Sequence, residues 1–546
     1  MTCTVPARFA RYLSVKAPSP LWPGSDRSES VLTSSTAIAA RSPALAAIRS
    51  KGWNGVLLVD ADERVGYVKR LNGVDALMLY SETPQIHMHT LKIGILDVSN
   101  MEQDFSFEIF REVAYQRLMA LEPLRYQLVD IPLQLHHPMW VIKDDIDLDY
   151  HVRRARVPAP GGRRELDQLI GQIASAPLDR DYPLWEMYVA EGLADHRIAI
   201  IHKVHHVLAD GVASANQMAQ ALAPDQPDPA HTKAAPAMSP TRSNLLGAAA
   251  RDHVGLLRKL PRLVNETATG VSRVRRRSKE RGAHPDLARN FAPPTSFINH
   301  RVTPGRQFAT APLALADVKE TSKHLGVTLN DVVLAMVAGA LRRLLLQYDG
   351  HADSPLIAGV PISYNTSPDR LAGNEFTYMT PSLPVHVDDA LERVELTSMG
   401  TKIAKENHHL LGPTVLPAWM SYLPPALAPS LFRTQARRVE SASVMNLTVS
   451  NVPGPRERGH IEGATVTEIY SVGPIVAGSG MNITVWSYVD QLAISVLTDD
   501  ATLGDPHEAT DALIDEFREI RSAAGLSGDL TPVGDTLPMA AAAGSR

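Results

Sequence analysis

The sequence contains a single cysteine, Cys3, and it lacks an excess of basic side chains, with a formal net charge of −5. One cysteine cannot form an intramolecular disulfide or a cysteine-based metal site. This composition fits a reducing cytoplasm. Domains that bind nucleic acids are usually strongly basic. We therefore expect no metal site, no nucleic-acid partner and a cytoplasmic location.

The sequence also lacks a hydrophobic run long enough to span a bilayer, which takes about 20 apolar residues. The uncharged run from Ile469 to Val489 is interrupted by Pro474, and the apolar run from Val332 to Leu346 contains Arg342 and Arg343. Any membrane association should therefore be peripheral, at the inner membrane face or on lipid bodies.

The chain of 546 residues is long for one domain, and two or three are expected. Residues 1–66 are rich in Ser, Ala, Pro and Arg. They fit a disordered N-terminal extension or an over-long gene model better than a transit peptide. Strand-like and helix-like segments mix in 67–223 and again in 301–525. The prediction is an α/β (α+β) fold of two domains with the active site between them, followed by a disordered tail over 526–546.

A linker should join the two domains over residues 224–300. Five prolines between Pro224 and Pro240 exclude a core element there. Residues 244–281 then predict one or two crossover helices broken at Pro261, with ten basic side chains against three acidic ones. Such a segment could meet anionic lipid headgroups, or it could be a solvated crossover between domains.

The chemistry is concentrated in the run from His205 to Gly211. Residues 197–204 alternate as a strand, so His205 and His206 should point to opposite faces. A histidine titrates near neutrality and can act as a general base at a strand end. Asp210 should cap the following helix and pair with an arginine or backbone amides, while Gly211 permits a tight turn.

These histidines have two other interpretations. A histidine on an apolar strand can be a packed core residue. His202 and His206 share a face, but residues four apart on a strand are about 13 Å from each other, and a zinc site needs a third ligand. The spacing therefore favours His206 as a base, with no metal.

Two further motifs are better explained by structure than by chemistry. Thr328 and Asp331 form a capping box before a helix that is apolar on all sides. Asn330 and Asp331, at this helix start, could also help bind a substrate oxygen. Pro183, Leu184 and Trp185 precede a predicted strand and should serve packing.

His205-His206-x-x-x-Asp210-Gly211 resembles the motif of acyl-CoA-dependent acyltransferases. The other motifs resemble those of the bacterial wax ester synthase/diacylglycerol acyltransferases (triacylglycerol synthases), especially the mycobacterial type. The segments that carry this second resemblance are Val74-Asp75-Ala76, Pro183-Leu184-Trp185-Glu186, Asn330-Asp331, Gly373-Asn374, Asn451-Val452-Pro453-Gly454 and Gly478-Ser479-Gly480. The resemblance covers about residues 68–525. The family ordinarily has Leu where Met481 stands.

The resemblance implies two chloramphenicol acetyltransferase-like domains around a central channel. It implies that fatty acyl-CoA and a diacylglycerol or long-chain alcohol are the substrates, with no cofactor. His206 would remove the hydroxyl proton, His205 would support it, and Asp210 would organise the loop. Two alternatives stay open: an acyltransferase for another hydroxylated acceptor, and a lipid-binding protein without activity.

Overall fold

The computed structural model describes residues 69–101, 105–143, 146–222, 241–289, 291–439 and 444–539. The predicted N-terminal extension over 1–66 and the proline-rich part of the linker lie outside these residues. Among these residues, no single helix is long and apolar enough to cross a membrane. The helices Leu315–Leu325 and Leu329–Tyr348, bent by 99° relative to each other, together meet the length and composition for it.

Helices and strands are mixed along the described chain. The helices are α1 Gly73–Ser81, α2 Phe107–Met119, α3 Leu148–His151, α4 Arg163–Ser175, α5 Gly211–Ala221, α6 Arg242–Arg281, α7 Leu315–Leu325, α8 Leu329–Tyr348, α9 Ala390–Leu411, α10 Val415–Met420, α11 Ala428–Arg438 and α12 His507–Ala523, with 3-10 turns at Glu122–Arg125 and Pro132–Gln134. The strands are β1 Lys69–Arg70, β2 His89–Asp97, β3 Tyr126–Val129, β4 Met139–Ile142, β5 Val152–Arg156, β6 Trp185–Glu191, β7 Arg197–His205, β8 Arg306–Ala314, β9 Leu356–Ser363, β10 Phe376–Met379, β11 Ser382–Leu383, β12 Leu447–Pro453, β13 His460–Ile461, β14 Ala464–Val472, β15 Met481–Tyr488 and β16 Gln491–Asp499.

Two large sheets carry the fold. One has the order β13-β14-β2-β7-β6-β5, and the other has the order β10-β9-β12-β15-β16-β8, with β11 also pairing with β9. Strand β14 pairs with β2 antiparallel, so a segment from the second half of the chain completes the sheet of the first half. The assignment of all of 301–525 to one C-terminal domain is therefore incomplete, because 460–472 belongs to the N-terminal sheet.

Two large clusters of buried apolar residues pack against these sheets. Helix α8 is buried from Asp331 to Leu341 and packs against α9 and α12, as its uniformly apolar sequence predicts. Its capping box is present, because the Thr328 side chain accepts from the Asp331 amide and the Asp331 side chain accepts from the Thr328 amide.

The crossover segment is one helix of 40 residues, α6, rather than a helix broken at Pro261. A proline inside a helix costs about 3 kcal/mol, because it removes a backbone hydrogen bond and clashes with the preceding turn. Hydrogen bonds from another segment reach α6 on both sides of Pro261. Tyr422 donates to the Leu256 carbonyl, and the Trp419 indole donates to the Thr267 hydroxyl.

The predicted disordered tail is wrong for residues 526–539, because these residues are anchored in the fold. Leu537 is buried. Its amide donates to Glu468, and its carbonyl accepts from Arg163 at 3.0 Å. A single buried leucine flanked by Pro, Thr and Gly has no periodicity, so the sequence pattern does not reveal this anchor.

Arg163 and Glu468 form a buried ion pair that joins α4, β14 and this C-terminal segment, with 2.7 Å between Nη2 and Oε2. We expect Arg163→Leu to lower the free energy of unfolding by about 3–5 kcal/mol, because it leaves the Glu468 carboxylate buried without its counter-charge. Urea unfolding measures this loss. The double variant with Glu468→Leu should lose less than the sum of the single variants, and strict additivity would contradict the prediction.

Candidate active site

The motif from His205 to Gly211 is a tight turn between a strand and a helix. Strand β7 ends at His205, and α5 begins at Gly211. The Asp210 side chain accepts from the Ala213 amide at 3.0 Å, which caps α5 as the sequence predicts. A side chain at Gly211 would approach Val452 on β12 to 3.0 Å. The turn is therefore packed directly against a strand of the other sheet.

Asp210 also forms a buried ion pair with Arg370. Arg370 Nη2 lies 2.7 and 2.9 Å from the two carboxylate oxygens. Arg370 donates in addition to the Gly373 carbonyl, and the Glu375 amide donates to Asp210 Oδ2. The Gly373 amide donates to the Leu208 carbonyl at 2.7 Å. Asp210 therefore docks the loop 370–375 from the second half of the chain onto the histidine turn.

The docked loop places Asn374 against His206, with 2.9 Å between Asn374 Oδ1 and His206 Nδ1. The Asn374 amide nitrogen donates to Asp75 Oδ1 at 2.8 Å and to the His206 carbonyl at 2.7 Å. Both amide hydrogens are thus used, so Oδ1 is left to accept. His206 consequently carries its proton on Nδ1, and its Nε2 has a free lone pair. None of the described residues forms a hydrogen bond with this Nε2.

The surroundings of His206 keep the ring neutral. Burial lowers the pKa of His206 to about 4, and the nearby charge of Lys92 acts in the same direction, whereas Asp210 opposes it. The ring lies 5.8 Å from that of Phe376. A neutral imidazole with an unprotonated Nε2 can accept a proton from a hydroxyl group.

Asp75 anchors Asn374 from the N-terminal half of the chain. It is buried at the start of α1, where it forms a capping box with Asn72. Its Oδ1 also accepts from the Asn374 backbone amide. Burial raises the pKa of Asp75 to about 6. Asp75 therefore holds Asn374, and the uncharged amide of Asn374 orients the ring of His206.

His205 faces away from these three residues and is fully buried. The Val207 amide donates to its Nδ1 at 3.0 Å, so its proton is on Nε2, which faces Glu82 at 3.4 Å. The His205 amide donates to the Leu184 carbonyl. His205 holds the turn in place and does not reach the site of His206.

The other predicted residues occupy supporting positions. Trp185 is buried, donates from its indole to the Leu124 carbonyl and stacks on the ring of His151 at 4.2 Å. Pro183 accepts from the Trp185 amide. Asn330 accepts from Asn451 on β12 at 3.4 Å, beside the strand residue that contacts Gly211. Each of these contacts joins one segment of the protein to another.

Sequence reasoning did not assign a role to Asn374, Asp75 or Arg370. The first two lie in segments that carry the family resemblance, but nothing in a single sequence pairs residues 75, 206 and 374. Arg370 could have been sought as the arginine expected for Asp210. Among the described residues, no group of three His, Cys, Asp or Glu side chains could hold a metal ion.

Two family models match the chain. The wax ester synthase/diacylglycerol acyltransferase catalytic domain matches residues 71–333, and the C-terminal domain of the same family matches residues 372–521. The chain belongs to the wax ester synthase/diacylglycerol acyltransferase family. The resemblance inferred from the motifs is therefore confirmed.

Individual relatives agree with this assignment. A Mycobacterium tuberculosis protein, provisionally named as a diacylglycerol O-acyltransferase, is 55% identical over 87% of this chain and all of its own length. The wax ester synthase/diacylglycerol acyltransferase of Marinobacter aquaeolei VT8 is 25% identical over 84% of this chain and all of its own, with a TM-score of 0.58. A condensation domain of the calcium-dependent antibiotic synthetase shares the fold at 16% identity, covering 87% of this chain and 99% of its own with a TM-score of 0.52. The predicted α/β class with two chloramphenicol acetyltransferase-like domains is confirmed.

We expect Asn374→Leu to lower kcat for acyl transfer by about 10- to 100-fold with little change in KM, because the leucine cannot fix the His206 tautomer. Steady-state kinetics with an acyl-CoA and a long-chain alcohol measure both constants. Asn365→Leu is the matched control, since Asn365 bonds to Glu375 in the same region and not to His206. Equal losses in the two variants would contradict the positioning role of Asn374.

Proposed function

We propose that this protein transfers a fatty acyl group from coenzyme A to the hydroxyl of a diacylglycerol or a long-chain alcohol, with His206 as the general base. The observation that carries the proposal is the orientation of His206 by Asn374, which leaves Nε2 unprotonated. The names of the relatives supply the substrate classes, since they describe wax ester synthesis and diacylglycerol acylation.

In this reaction Nε2 of His206 takes the proton of the acceptor hydroxyl. The oxygen attacks the thioester carbonyl, the carbon–sulfur bond breaks, and the coenzyme A thiolate receives the proton from Nε2. The acyl group passes directly to the oxygen, so no residue of the chain needs to carry it. Asp210 lies close enough for its charge to favour the transient imidazolium.

We expect wild-type protein to form triacylglycerol from palmitoyl-CoA and diolein, and His206→Gln to lose at least about 100-fold in kcat because the base is absent. The variant should unfold at the wild-type temperature. The wild-type rate should stay flat from pH 8 to 6 and fall as His206 is protonated near its pKa of about 4. Product formation at wild-type rate by His206→Gln would refute the general-base role. Transfer only to other hydroxylated acceptors would show that the acceptor is neither a diacylglycerol nor a long-chain alcohol. Lipid binding without any transfer would favour the non-catalytic alternative.

We further propose that α6 docks the protein on an anionic lipid surface. Val254, Leu257, Pro261 and Val264 are exposed and recur every three or four residues, which places them on one face of the helix. Arg251, Arg258 and Arg262 share the adjacent face. Helix α10 packs beside α6, and residues 412–438 contain no acidic side chain. An apolar stripe with a cationic edge fits the headgroup region of anionic bilayers.

Flotation with vesicles tests this docking. We expect binding to phosphatidylglycerol-containing vesicles that weakens with salt, because each basic side chain near such a surface contributes about 1 kcal/mol. Leu257→Asp should reduce binding. Leu346→Asp, at another exposed leucine on α8, is the matched control. Equal binding of both variants, or of neutral and anionic vesicles, would contradict the proposal.

A further inference from the structure

An apolar cavity of about 140 Å³ lies between the helices α2 and α5 and the sheet face formed by β2 and β7. On β7 its wall is made by Ile200, His202 and Val204. Successive strand residues alternate between faces, so these even-numbered residues share one face. His206 is the next even-numbered residue, just beyond the strand end. The cavity therefore begins one two-residue step from the proposed base.

A second cavity of about 600 Å³ continues along the same face. It is lined by Ile198, the next residue of the series on β7, and by Leu96 on β2. Leu96, Phe110 and Ile461 border both cavities, so these three side chains form the wall between them. Together the cavities follow the sheet from Val204, two residues before His206, to Ile198 near the start of β7.

The dimensions of this path suit a long hydrocarbon chain. From Val204 to Ile198 the strand rises about 20 Å at about 3.4 Å per residue. Carbon–carbon bonds of about 1.5 Å at about 111° advance about 1.25 Å per carbon, so about sixteen carbons cover the same distance. A cavity of about 150 Å³ holds a benzene molecule. The first cavity alone, at about 140 Å³, therefore has room for about six carbons of the chain.

Lys92 and His202 are two of the polar residues that line the first cavity. Lys92 donates to Ser471 at 2.6 Å, and its ammonium group lies 5.2 Å from the centre of the Trp486 ring. Its aliphatic stem can therefore cover apolar surface while the charged end is engaged. Burial lowers the pKa of His202 to about 3, so this ring is uncharged near neutral pH.

We propose that this sheet face binds one unbranched hydrocarbon chain of a substrate, with the reacting end at His206 and the methyl end directed past Gly94 toward Leu96. The proposal rests on acyl transfer at His206, and the chain belongs to either the acyl donor or the acceptor alcohol. Gly94 sets the depth of the first cavity. A Cβ atom there would contact only Leu96 Cδ1, at 3.7 Å, so larger side chains would project into the path.

The graded series Gly94→Ala, Gly94→Val and Gly94→Leu tests this assignment. Rates are measured with acyl-CoA of four to eighteen carbons at one fixed alcohol, and with alcohols of varied length at one fixed acyl-CoA. We expect Gly94→Leu to lower the ratio of kcat/KM for sixteen-carbon to four-carbon substrates at least about tenfold, because each excluded methylene forfeits about fourfold in binding. If the ratio falls with varied acyl-CoA, the chain belongs to the acyl donor. If it falls with varied alcohol, the chain belongs to the acceptor.

Two variants and one binding measurement complete the design. Gly504→Leu makes the same change where nothing surrounds the added side chain, and it should keep the wild-type ratio. Ile461→Ala should shift the preference toward longer chains by thinning the wall between the cavities. Fluorescence of bound parinaric acid reports chain binding without turnover, and Gly94→Leu should weaken it.

The outcomes separate this proposal from the proposed function. If wild-type protein transfers acyl groups but Gly94→Leu keeps the wild-type length profile in both series, the chain does not lie on this face and the proposal is overturned. If wild-type protein transfers no acyl group to any alcohol, the proposed function fails. Weaker parinaric acid binding by Gly94→Leu would then still support the chain site, and unchanged binding would overturn it.

Discussion

The buried ion pair between Asp210 and Arg370 is the contact on which the geometry of His206 depends. Removing two charges from water costs several kcal/mol per ion, so such a pair is a weak source of net stability. Its contribution here is to hold the loop 370–375 in position. Asp210 accepts from Arg370 and from the Glu375 amide, and Arg370 also holds the Gly373 carbonyl. These bonds hold the loop 370–375 against the histidine turn, and Asn374 lies within that loop.

The side-chain amide of Asn374 affects the pKa of His206 differently from a carboxylate at the same place. A carboxylate in direct contact with Nδ1 would stabilise the imidazolium and raise the pKa of His206. The amide fixes the same tautomer without adding charge, so burial dominates and the pKa is about 4. His206 is thus always in the basic form near neutral pH, although it is a weak base. In the proposed reaction His206 holds the proton only transiently, and the charge of Asp210 would stabilise the imidazolium when it forms.

Local patterns in the sequence predict much of this fold. Alternation predicted β7, and residue types predicted the cap of α5 by Asp210 and the capping box at Thr328 and Asp331. These features depend on neighbours within a few residues. The local cost of Pro261 does not predict an unbroken α6, which receives hydrogen bonds on both sides of the proline from Trp419 on α10 and from Tyr422 just after it.

Long-range contacts explain what the sequence did not predict. The pairing of β14 with β2 joins residues that are more than 350 positions apart, and no local pattern specifies the partner of a strand. The same holds at the site. Asn374 is one of many asparagines on loops, and only the docked loop brings it to residues 75 and 206. A single sequence predicts the base, whereas the group that orients the base follows from the fold.

The register of β7 connects the base to the proposed chain site. His205 pairs with His89 and Val204 pairs with Thr90, which fixes the faces on which the side chains lie. A slip of one residue would exchange the faces and turn Val204, His202 and Ile200 away from α5. It would also move the histidine turn relative to the loop 370–375. The face proposed to hold a hydrocarbon chain and the position of the His206 ring are therefore set by one strand register.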